Sequence, residues 1–591
     1  MIGIIDITKR VKLLMPSVAL VLFYSVAITN GFGRNVSADA QLQGRFPPRL
    51  YQPFGTHTYA RVGDAVWLDA YAGGSAPVTY RWTRNGDEIP WATNSSMTIS
   101  NVSVNDEADY VVTASNAVGE ATATFNVRVF AVVAPAWQHE RSEIGRQLEG
   151  RSIAVDAEGN AYVCASLIGR SSTNALFVKY LSGGTPHWTR TVPFTVNSHM
   201  KVALTSNGNV CVAGTFAGDF LVAQFAPDGT MLWWSPYNHG ALERMTDMTV
   251  DGLGNVYVTG QSYNSTNAGD FLTIKYDSAG SNLWTSFLGE PGVAEVPAAL
   301  TVDSLGNVYV TGHNGVAFTT VKYQTNGTQS WVRYRQWSHP SGGTAIALGS
   351  DGSLYVAGSF SQGSALVTGL IRYDSAGAEL WAAEFPGRIY NLAVDQRGIY
   401  LGGVDSCRAQ IVKYSQTGEE LWRRHFATAG IPWGCTAGRS LGLDAAGNAF
   451  VAGAYYDLGY YSGYSSMKWT PDGELLWIAH ATSPSLREFS ATSLTVDLQG
   501  NLYVTGAVRS NLMTVKYAVP TNSTRLSIDS VRESDVRYQV VGDPGFVYGI
   551  EHSSDLTTWT GVTNLINRTG PVHFNRPRSS SSEFLRAIRM P

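Results

Sequence analysis

The residues with the clearest capacity for chemistry are aspartates that recur before glycine at nearly regular intervals. Carboxylates repeated in this way could ligate metal ions around a common axis. An Asp-x-x-Gly-Asn sequence is also typical of a tight turn, in which the aspartate accepts hydrogen bonds from turn amides and the glycine supplies a positive φ. Because no Asp-x-Asp-x-Asp-Gly calcium loop is present, the sequence favours turn capping and predicts no metal site. The recurring aspartates are Asp156, Asp251, Asp303, Asp351, Asp395, Asp444 and Asp497.

Aromatic residues collect in the longest irregular segments between these turns. Exposed rings can stack on sugar faces, and they can also anchor a protein interface, because Tyr and Trp combine a large contact area with a polar tip. A third interpretation, in which the rings only pack their own loops, stays open. The candidate ligand-binding residues are Tyr237, His239, Trp337, His339, Trp433, Tyr455, Tyr460 and Tyr464.

The four cysteines offer little further chemistry. No two of them stand at a Cys-x-x-Cys zinc spacing. Cys407 and Cys435 fall in a variable loop and the linker that follows it, so they are candidates for a disulfide if the protein is exported. Cys164 and Cys211 lie in apolar strand segments, where cysteine usually behaves as a small buried hydrophobe.

The sequence shows no catalytic constellation. It contains neither a Gly-x-Ser-x-Gly elbow nor a His-Glu-x-x-His helix, and we expect no catalytic residue and no cofactor. Carboxylates of a polysaccharide hydrolase or lyase could still lie in the loops, because sequence spacing does not reveal such pairs. An enzyme therefore stays open as an alternative.

The elements that position these residues belong to a repeat. From Trp137 to Tyr517 the chain repeats a unit that, in its full form, contains the Asp-x-x-Gly-Asn turn, an apolar strand ending in Gly, a variable loop, a strand ending in Lys-Tyr, and Gly-x-x-Leu-Trp, as between Asp251 and Trp284. Eight units at a spacing of 46 to 53 residues predict a β-propeller over 135–519. The turn glycines that set this spacing are Gly159, Gly208, Gly254, Gly306, Gly352, Gly398, Gly447 and Gly500.

The two ends of the array are complementary. The eighth unit lacks a tryptophan strand, whereas Trp137 precedes the first unit and can supply one. A strand shared in this way leaves no free sheet edge at the junction, so we expect a closed ring of eight blades, with seven as the alternative. The regular turns then lie on one face, and the variable loops and blade-to-blade linkers lie on the other, where a rigid scaffold presents binding residues.

The repeat resembles two known families. The segment from Gly306 to Gly312, followed by Val321-Lys322-Tyr323, is similar to the bacterial β-propeller repeats called SBBP, a resemblance that implies a fold and no common activity. The Gly-x-x-Leu-Trp turns also resemble the tryptophan-docking repeats of quinoprotein dehydrogenases, which would imply an enzyme. That family carries a disulfide between adjacent cysteines beside the quinone, and no two cysteines are adjacent in this sequence.

A separate module precedes the array at 44–131. Its short alternating strands and turns predict a two-sheet sandwich, and it resembles the intermediate set of the immunoglobulin superfamily, with Trp82 as the core tryptophan and Tyr110 as the corner tyrosine. Ala70 and Val112 stand where that family has its disulfide, so apolar packing must replace the cross-link.

The chain ends complete the expected organisation. Lys9, Arg10 and Lys12, an apolar stretch over 13–28 and Ala38-Asp39-Ala40 predict a signal peptide at 1–40, with an uncleaved anchor as the alternative, and no later segment could span a membrane. Residues 522–591 predict a small β module that looks like the C-terminal domains of secreted bacterial proteins, with Trp559 in its core.

Composition limits the function. Charged residues make up 15% of the 591, with 42 Lys and Arg against 46 Asp and Glu, so nucleic acid is an unexpected partner and an all-β fold is favoured. The expected function is a secreted or cell-surface binding or adhesion protein for a glycan or protein ligand, without enzymatic activity. The alternative is an exported polysaccharide-acting enzyme or a quinoprotein-like dehydrogenase.

Overall fold

Short apolar segments that end at glycine-containing turns form β-strands throughout the computed structural model. It describes residues 46–51, 57–130, 133–169, 173–192, 196–240, 242–263, 269–290, 292–405, 408–426, 436–456, 462–481, 489–518, 525–531, 534–542, 546–554, 557–568, 572–577 and 584–590. The predicted signal peptide lies outside these residues. Within these ranges no helix has the length and apolar character that a membrane crossing requires.

The first domain is a β-sandwich. Its main sheet has the order β2-β9-β8-β5-β6, with β2 parallel to β9, and β3 pairs with β7 while β1 pairs with β4. The strands are β1 (Arg49–Tyr51), β2 (His57–Arg61), β3 (Val66–Asp69), β4 (Tyr71–Gly73), β5 (Thr79–Arg84), β6 (Asp87–Glu88), β7 (Ser96–Ile99), β8 (Ala108–Asn116) and β9 (Gly119–Phe130).

Eight four-stranded antiparallel sheets follow as blades. The first strand of the array is β10 (Trp137–Arg141), which belongs to blade 8. Blades 1 to 4 contain β11 (Gln147–Val155), β12 (Ala161–Ile168), β13 (Thr173–Tyr180), β14 (Pro186–Val192); β15 (Val196–Leu204), β16 (Val210–Phe216), β17 (Asp219–Phe225), β18 (Met231–Tyr237); β19 (Leu242–Val250), β20 (Val256–Tyr263), β21 (Asp270–Tyr276), β22 (Asn282–Leu288); β23 (Val296–Val302), β24 (Val308–His313), β25 (Ala317–Tyr323) and β26 (Gln329–Gln336).

Blades 5 to 8 continue the same order. Their strands are β27 (Ser341–Leu348), β28 (Leu354–Gln362), β29 (Ala365–Tyr373), β30 (Glu379–Pro386); β31 (Arg388–Asp395), β32 (Gly398–Asp405), β33 (Arg408–Tyr414), β34 (Glu420–Phe426); β35 (Thr436–Leu443), β36 (Ala449–Tyr456), β37 (Ser462–Trp469), β38 (Leu475–Ala481); and β39 (Phe489–Val496), β40 (Leu502–Val508), β41 (Asn511–Tyr517).

A small module ends the chain. It consists of two three-stranded sheets, in the orders β42-β43-β46 and β45-β44-β47. The strands are β42 (Arg525–Val531), β43 (Asp535–Val541), β44 (Phe546–Ser553), β45 (Thr560–Asn567), β46 (Val572–Pro577) and β47 (Phe584–Arg589).

The propeller closes as a ring of eight blades. The first strand of each blade contacts the first strand of the next blade, and β11 contacts β39 to complete the circle. β10 pairs with β41, which places Trp137 opposite Lys516 in blade 8. The expected all-β fold with an immunoglobulin-like sandwich and an eight-bladed propeller is therefore confirmed, and the seven-blade alternative is wrong.

Tryptophans of the outer strands join neighbouring blades. Each indole N–H donates to a backbone carbonyl in the turn before the last strand of the next blade, over 2.9 to 3.4 Å in seven junctions. The turn glycine lies against the indole, and a Cβ there would come within 2.5 to 2.9 Å of ring atoms. The pairs are Trp137–Gly184, Trp188–Gly229, Trp233–Gly280, Trp284–Gly327, Trp331–Gly377, Trp381–Gly418 and Trp422–Gly473.

The second strand of a repeat also needs a glycine inside it, although the sequence predicted that this glycine ends the strand. Every first strand carries a register shift, as between Met245 and Asp247 in β19, and the bulge turns a carbonyl toward the second strand. A Cβ on Gly260 would lie 2.1 Å from the Arg244 oxygen, and one on Gly312 would lie 2.0 Å from the Val296 oxygen. Only glycine leaves room for this backbone approach.

The sandwich core is built without a cross-link. Ala70, Val112 and Trp82 are fully buried in one cluster, and the Trp82 indole donates to the Asn94 carbonyl at 2.8 Å. The Tyr110 hydroxyl donates to the Asp106 carbonyl at 3.1 Å, as a corner tyrosine does.

Both flanking domains pack on one side of the ring. In four blades the leucine before the outer-strand tryptophan is about half exposed, for example Leu283 at 52%, but Leu476 of blade 7 is only 2% exposed. The Tyr59 ring of the sandwich contacts Phe426 and Trp469, and Val547 of the C-terminal module packs on the core of blades 7 and 8. The same repeat position is therefore solvent-facing in most blades and covered in blade 7.

We expect Gly280→Ala to lower the melting temperature of the protein more than Gly352→Ala does. Both glycines have φ near +80°, but a Cβ at position 280 would meet Trp233 at 2.5 Å whereas position 352 is open. Both variants share the positive-φ strain of about 1–3 kcal/mol, and overpacking adds about 1–3 kcal/mol to Gly280→Ala alone. Equal melting temperatures in differential scanning fluorimetry would contradict the docking role of the tryptophan.

Candidate functional site

The face that carries the variable loops and the linkers contains two carboxyl pairs, each with a fully buried glutamate. One pair joins Asp219, at the start of the third strand of blade 2, to Glu243, at the start of blade 3. The other joins Asp270 of blade 3 to Glu295, which precedes the first strand of blade 4. Both pairs therefore sit at the same structural position of consecutive blade junctions, and we call them the carboxyl pairs.

Glu243 ties the linker to the preceding blade. Its backbone N–H donates to the Gly218 carbonyl at 2.5 Å, and its Oε1 accepts from the His239 N–H at 3.3 Å and from the Ser262 hydroxyl at 3.4 Å. The side chain is fully buried, and Oε2 has no hydrogen-bond partner among the described residues.

Glu295 repeats the arrangement one blade later. Its N–H donates to the Gly269 carbonyl at 2.8 Å, and its Oε2 accepts from the Glu290 N–H at 3.2 Å. The Gln261 amide donates to the Glu295 carbonyl at 3.0 Å. Glu295 is also fully buried, and its Oε1 lacks a hydrogen-bond partner in the part of the chain that the structure describes.

Burial changes the acidity of both glutamates. It raises the pKa of Glu243 to about 7, with a further contribution from the Asp219 carboxylate. It raises the pKa of Glu295 to about 7 as well, again with the neighbouring aspartate, Asp270, acting in the same direction. A carboxyl with such a pKa could serve as a general acid, but neither glutamate is accessible to a substrate. Their contacts instead hold the linkers in place.

Exposed rings lie beside these linkers. His239 stacks with Tyr237 at 6.4 Å between ring centroids and contacts Phe287 at 5.0 Å. Phe287 is 40% exposed, and Tyr334 is 43% exposed at the equivalent position of blade 4. We call Tyr237, His239, Phe287 and Tyr334 the aromatic patch. Asn238 and Glu290, both exposed in the adjoining linkers, supply polar groups at its edge.

The other predicted ligand-binding residues divide into three groups. Trp337 is half-buried between Phe318 and Phe360, at centroid distances of 5.8 and 5.7 Å, so its ring packs the blade, whereas His339 is exposed. Tyr464 is fully buried and donates to the Met513 carbonyl at 3.3 Å, which corrects its prediction as an exposed ligand residue. The remaining predicted residues, Trp433, Tyr460 and the side chain of Tyr455, lie outside the described residues.

The two cysteines that the structure describes lie in the second strands of blades 1 and 2. Cys164 and Cys211 are buried free thiols, and burial raises the pKa of both, to about 12 and about 11. Cys407 and Cys435, the candidate disulfide, lie outside the described residues.

The turn aspartates are occupied by their own turns. Asp251 accepts from the backbone N–H groups of Leu253 and Asn255, the Asn255 amide and the Tyr257 hydroxyl at 2.7 to 2.9 Å. Within the described ranges, no three His, Cys, Asp or Glu side chains are placed to hold a metal ion.

The sequence predicted part of this site. It placed Tyr237 and His239 on the variable face, but it missed Phe287, Tyr334 and the carboxyl pairs. A signal existed for the pairs, because Gly-Asp opens the third strand in both blades 2 and 3 and a glutamate follows in each linker. Their proximity depends on how one blade leads into the next, and no local pattern reports it.

Family models match two parts of the chain. The immunoglobulin I-set domain matches residues 48–129, and a beta-propeller domain of unknown function, DUF5122, matches residues 349–378. Among curated proteins, human neural cell adhesion molecule 1 is 27% identical over 195 residues, covering 28% of this chain and 22% of that protein. The mouse protein is 31% identical over 125 residues, covering 19% and 11%. The chain therefore matches less than a quarter of the length of these relatives.

Solved structures resemble the fold at low identity. A quinonprotein alcohol dehydrogenase-like protein from Bacteroides thetaiotaomicron aligns at 13% identity and a TM-score of 0.32, covering 74% of this chain and 97% of that one. The rhamnogalacturonan lyase YesW aligns at 14% identity and a TM-score of 0.38, covering 80% and 92%.

We expect the contribution of the two buried glutamates to the stability of the protein to fall between about pH 4.5 and pH 7. Their pKa is about 7 in the folded protein against 4.5 ordinarily, so the stability they contribute is complete below pH 4.5 and is lost as the pH rises through 7. The double variant Glu243→Gln with Glu295→Gln should therefore gain melting temperature over the wild type at pH 8 and little at pH 4.5.

The matched control is Glu384→Gln on an exposed outer strand, which should follow the wild-type pH profile. A double variant whose melting temperature changes by the same amount at every pH would contradict the assignment.

Proposed function

We propose that this chain is an exported binding protein whose propeller presents the aromatic patch to a carbohydrate ligand. The proposal includes a signal peptide at 1–40, domains at 44–131, 135–519 and 522–591, and SBBP-type repeats in the propeller. The observation that carries it is the exposure of His239, Phe287 and Tyr334 on consecutive blades, over linkers that buried glutamates hold in place.

The chemistry of the patch suits a sugar. Aromatic faces pack on the apolar faces of pyranose rings, and polar groups at the edge bind hydroxyls. Asn238 donates to Asp219 at 3.0 Å, so its amide is held in a fixed position beside the rings. A patch built on packed strands and fixed linkers loses little entropy on binding.

The sandwich supports a binding role from a second direction. It matches the immunoglobulin I-set model, and the chain is similar to a protein named as a cell adhesion molecule. An exposed location at the cell surface or in the medium is consistent with these resemblances and with the predicted signal peptide. A protein ligand is the alternative to a glycan.

An enzymatic function receives less support. A glycosidase needs two carboxyl groups that reach the substrate from either side of the scissile bond. In the described carboxyl pairs both glutamates are fully buried, and the carboxyl oxygens of these glutamates accept hydrogen bonds from the linker backbone. We therefore favour binding over hydrolysis.

We expect Phe287→Ala and Tyr334→Ala each to weaken glycan binding about five- to tenfold, since each removes one stacking surface worth about 1 kcal/mol. Affinity is measured by a glycan array with the intact protein and then by titration calorimetry on the best hit. Tyr71→Ala, which removes a more exposed ring on the sandwich, serves as the control and should bind normally. Loss of affinity in the control alone, or no glycan binding by the wild type, would contradict the proposal.

A further inference from the structure

All three domains meet at one small cavity of about 60 Å³. Tyr59, Arg128 and Phe130 of the sandwich line it, together with Arg424 of blade 6, Glu474 of blade 7 and Arg568 of the C-terminal module. This volume admits a few water molecules or one oxyanion group, either a free ion or the carboxylate of a larger molecule whose remainder stays outside. We call it the three-domain cavity.

The cavity has an excess of positive charge. Three guanidinium groups line it against one carboxylate, that of Glu474, which Arg568 Nη2 contacts at 3.0 Å. Two further acids lie outside its wall, since Arg568 Nη1 contacts Glu107 at 3.4 Å and Arg128 Nη1 contacts Asp109 at 3.3 Å. Glu107 and Asp109 therefore partly neutralise Arg568 and Arg128 from outside the cavity.

Two of the arginines that line the cavity keep unfilled donor capacity. Arg424 donates to the Gly473 carbonyl at 2.9 Å and to the Arg423 carbonyl at 3.0 Å, and it forms no carboxylate ion pair among the described residues. Arg568 is 16% exposed, and its Nε is buried with no hydrogen-bond partner in the described structure. An unpaired buried guanidinium N–H is costly, and an acceptor of negative charge would relieve that cost.

The apolar wall strengthens any charge interaction here. Tyr59 packs on Phe130, Phe426 and Trp469 at centroid distances of 6.1, 6.2 and 5.6 Å, and Arg568 lies 5.8 Å from the Phe130 ring. Burial raises the pKa of Tyr59 to about 12, so its hydroxyl keeps its proton at neutral pH. Electrostatic attraction is stronger beside such a wall than in open water.

The repeat separates the structural role of Arg424 from its role in the cavity. Arg190, Arg333 and Arg424 occupy the same position, two residues after the tryptophan, and each donates to the next turn glycine at 2.6 to 2.9 Å. Each also lies over its tryptophan at 5.4 to 5.8 Å. Only Arg424 lines the three-domain cavity, where it meets guanidinium groups from two other domains.

We propose that the three-domain cavity binds a small oxyanion, with Arg424, Arg568 and Arg128 as its cationic donors. Sulfate, phosphate and a sugar carboxylate share this chemistry, because each offers several oxygens to forked guanidinium donors. The bound anion links the sandwich and the C-terminal module to blades 6 and 7. This site is separate from the aromatic patch and does not depend on the proposed carbohydrate ligand.

The test is the thermal stability of the intact protein with sodium sulfate against sodium chloride at equal ionic strength. We expect sulfate to raise the melting temperature saturably, by about 2 °C or more. Sulfate also stabilises folded proteins in general, without saturation, because it is excluded from their surface. Arg424→Gln should therefore abolish only the saturable part of the rise, whereas Arg333→Gln, which loses the same repeat contacts elsewhere in the ring, should keep it. Far-UV circular dichroism checks that both variants are folded, and Arg568→Gln provides a second loss from another domain.

Titration calorimetry then separates the sources of the anion. Sulfate, phosphate, galacturonate and oligogalacturonate are each titrated into the wild type and into Arg424→Gln. Saturable binding of any of them that is lost in the variant supports the site, and tighter binding of the oligomer identifies a polysaccharide as the source. The absence of a saturable rise in sulfate over chloride, or a saturable rise that persists in Arg424→Gln and Arg568→Gln, would overturn the proposal. Neither result bears on glycan binding at Phe287 and Tyr334.

Discussion

In seven junctions of the propeller, the outer-strand tryptophan of one blade lies against a turn glycine of the next blade and donates its indole N–H to the same turn. This contact combines buried aromatic area with a satisfied polar group, and it recurs around the ring. The same contact closes the ring, because Trp137 lies in the last strand of blade 8 and donates to the turn of blade 1. The faces on which the loops and linkers lie follow from that closure.

The junction after blade 7 departs from the pattern. Blade 8 receives its last strand, β10, from the start of the array, so blade 8 has no turn between its third and last strands on which Trp477 could dock. Trp477 instead packs with Tyr517, and Val133 and Val547 cover the same cluster. The C-terminal module therefore packs on blades 7 and 8, where the repeat is interrupted, whereas the sandwich contacts blades 6 and 7. The three-domain cavity lies at this second junction, between blades 6 and 7.

The aromatic patch and the three-domain cavity both depend on the propeller scaffold. On the variable face, buried glutamates tie two consecutive linkers to the preceding blades, which holds His239 beside Phe287. At the edge of the ring, an arginine that elsewhere only supports a blade junction becomes part of a cavity, because Arg128 and Arg568 arrive from other domains. In both cases a repeat position gains a new role through its neighbours and not through a change in its own blade.

The sequence by itself determined the local structure and the number of blades. Turn aspartates, strand-ending glycines and outer-strand tryptophans have short-range causes, namely turn hydrogen bonds, backbone approach at a bulge and docking on the next turn, and so they leave a periodic pattern. The sequence also predicted the core of the sandwich, from Trp82, Tyr110 and the apolar pair Ala70 and Val112. Only the tertiary structure decided that Tyr464 is buried, that Leu476 is covered while Leu283 is exposed, and that Glu243 meets Asp219. These outcomes depend on contacts between distant segments, whose free energy comes from burial between domains and blades and leaves no mark on local residue spacing.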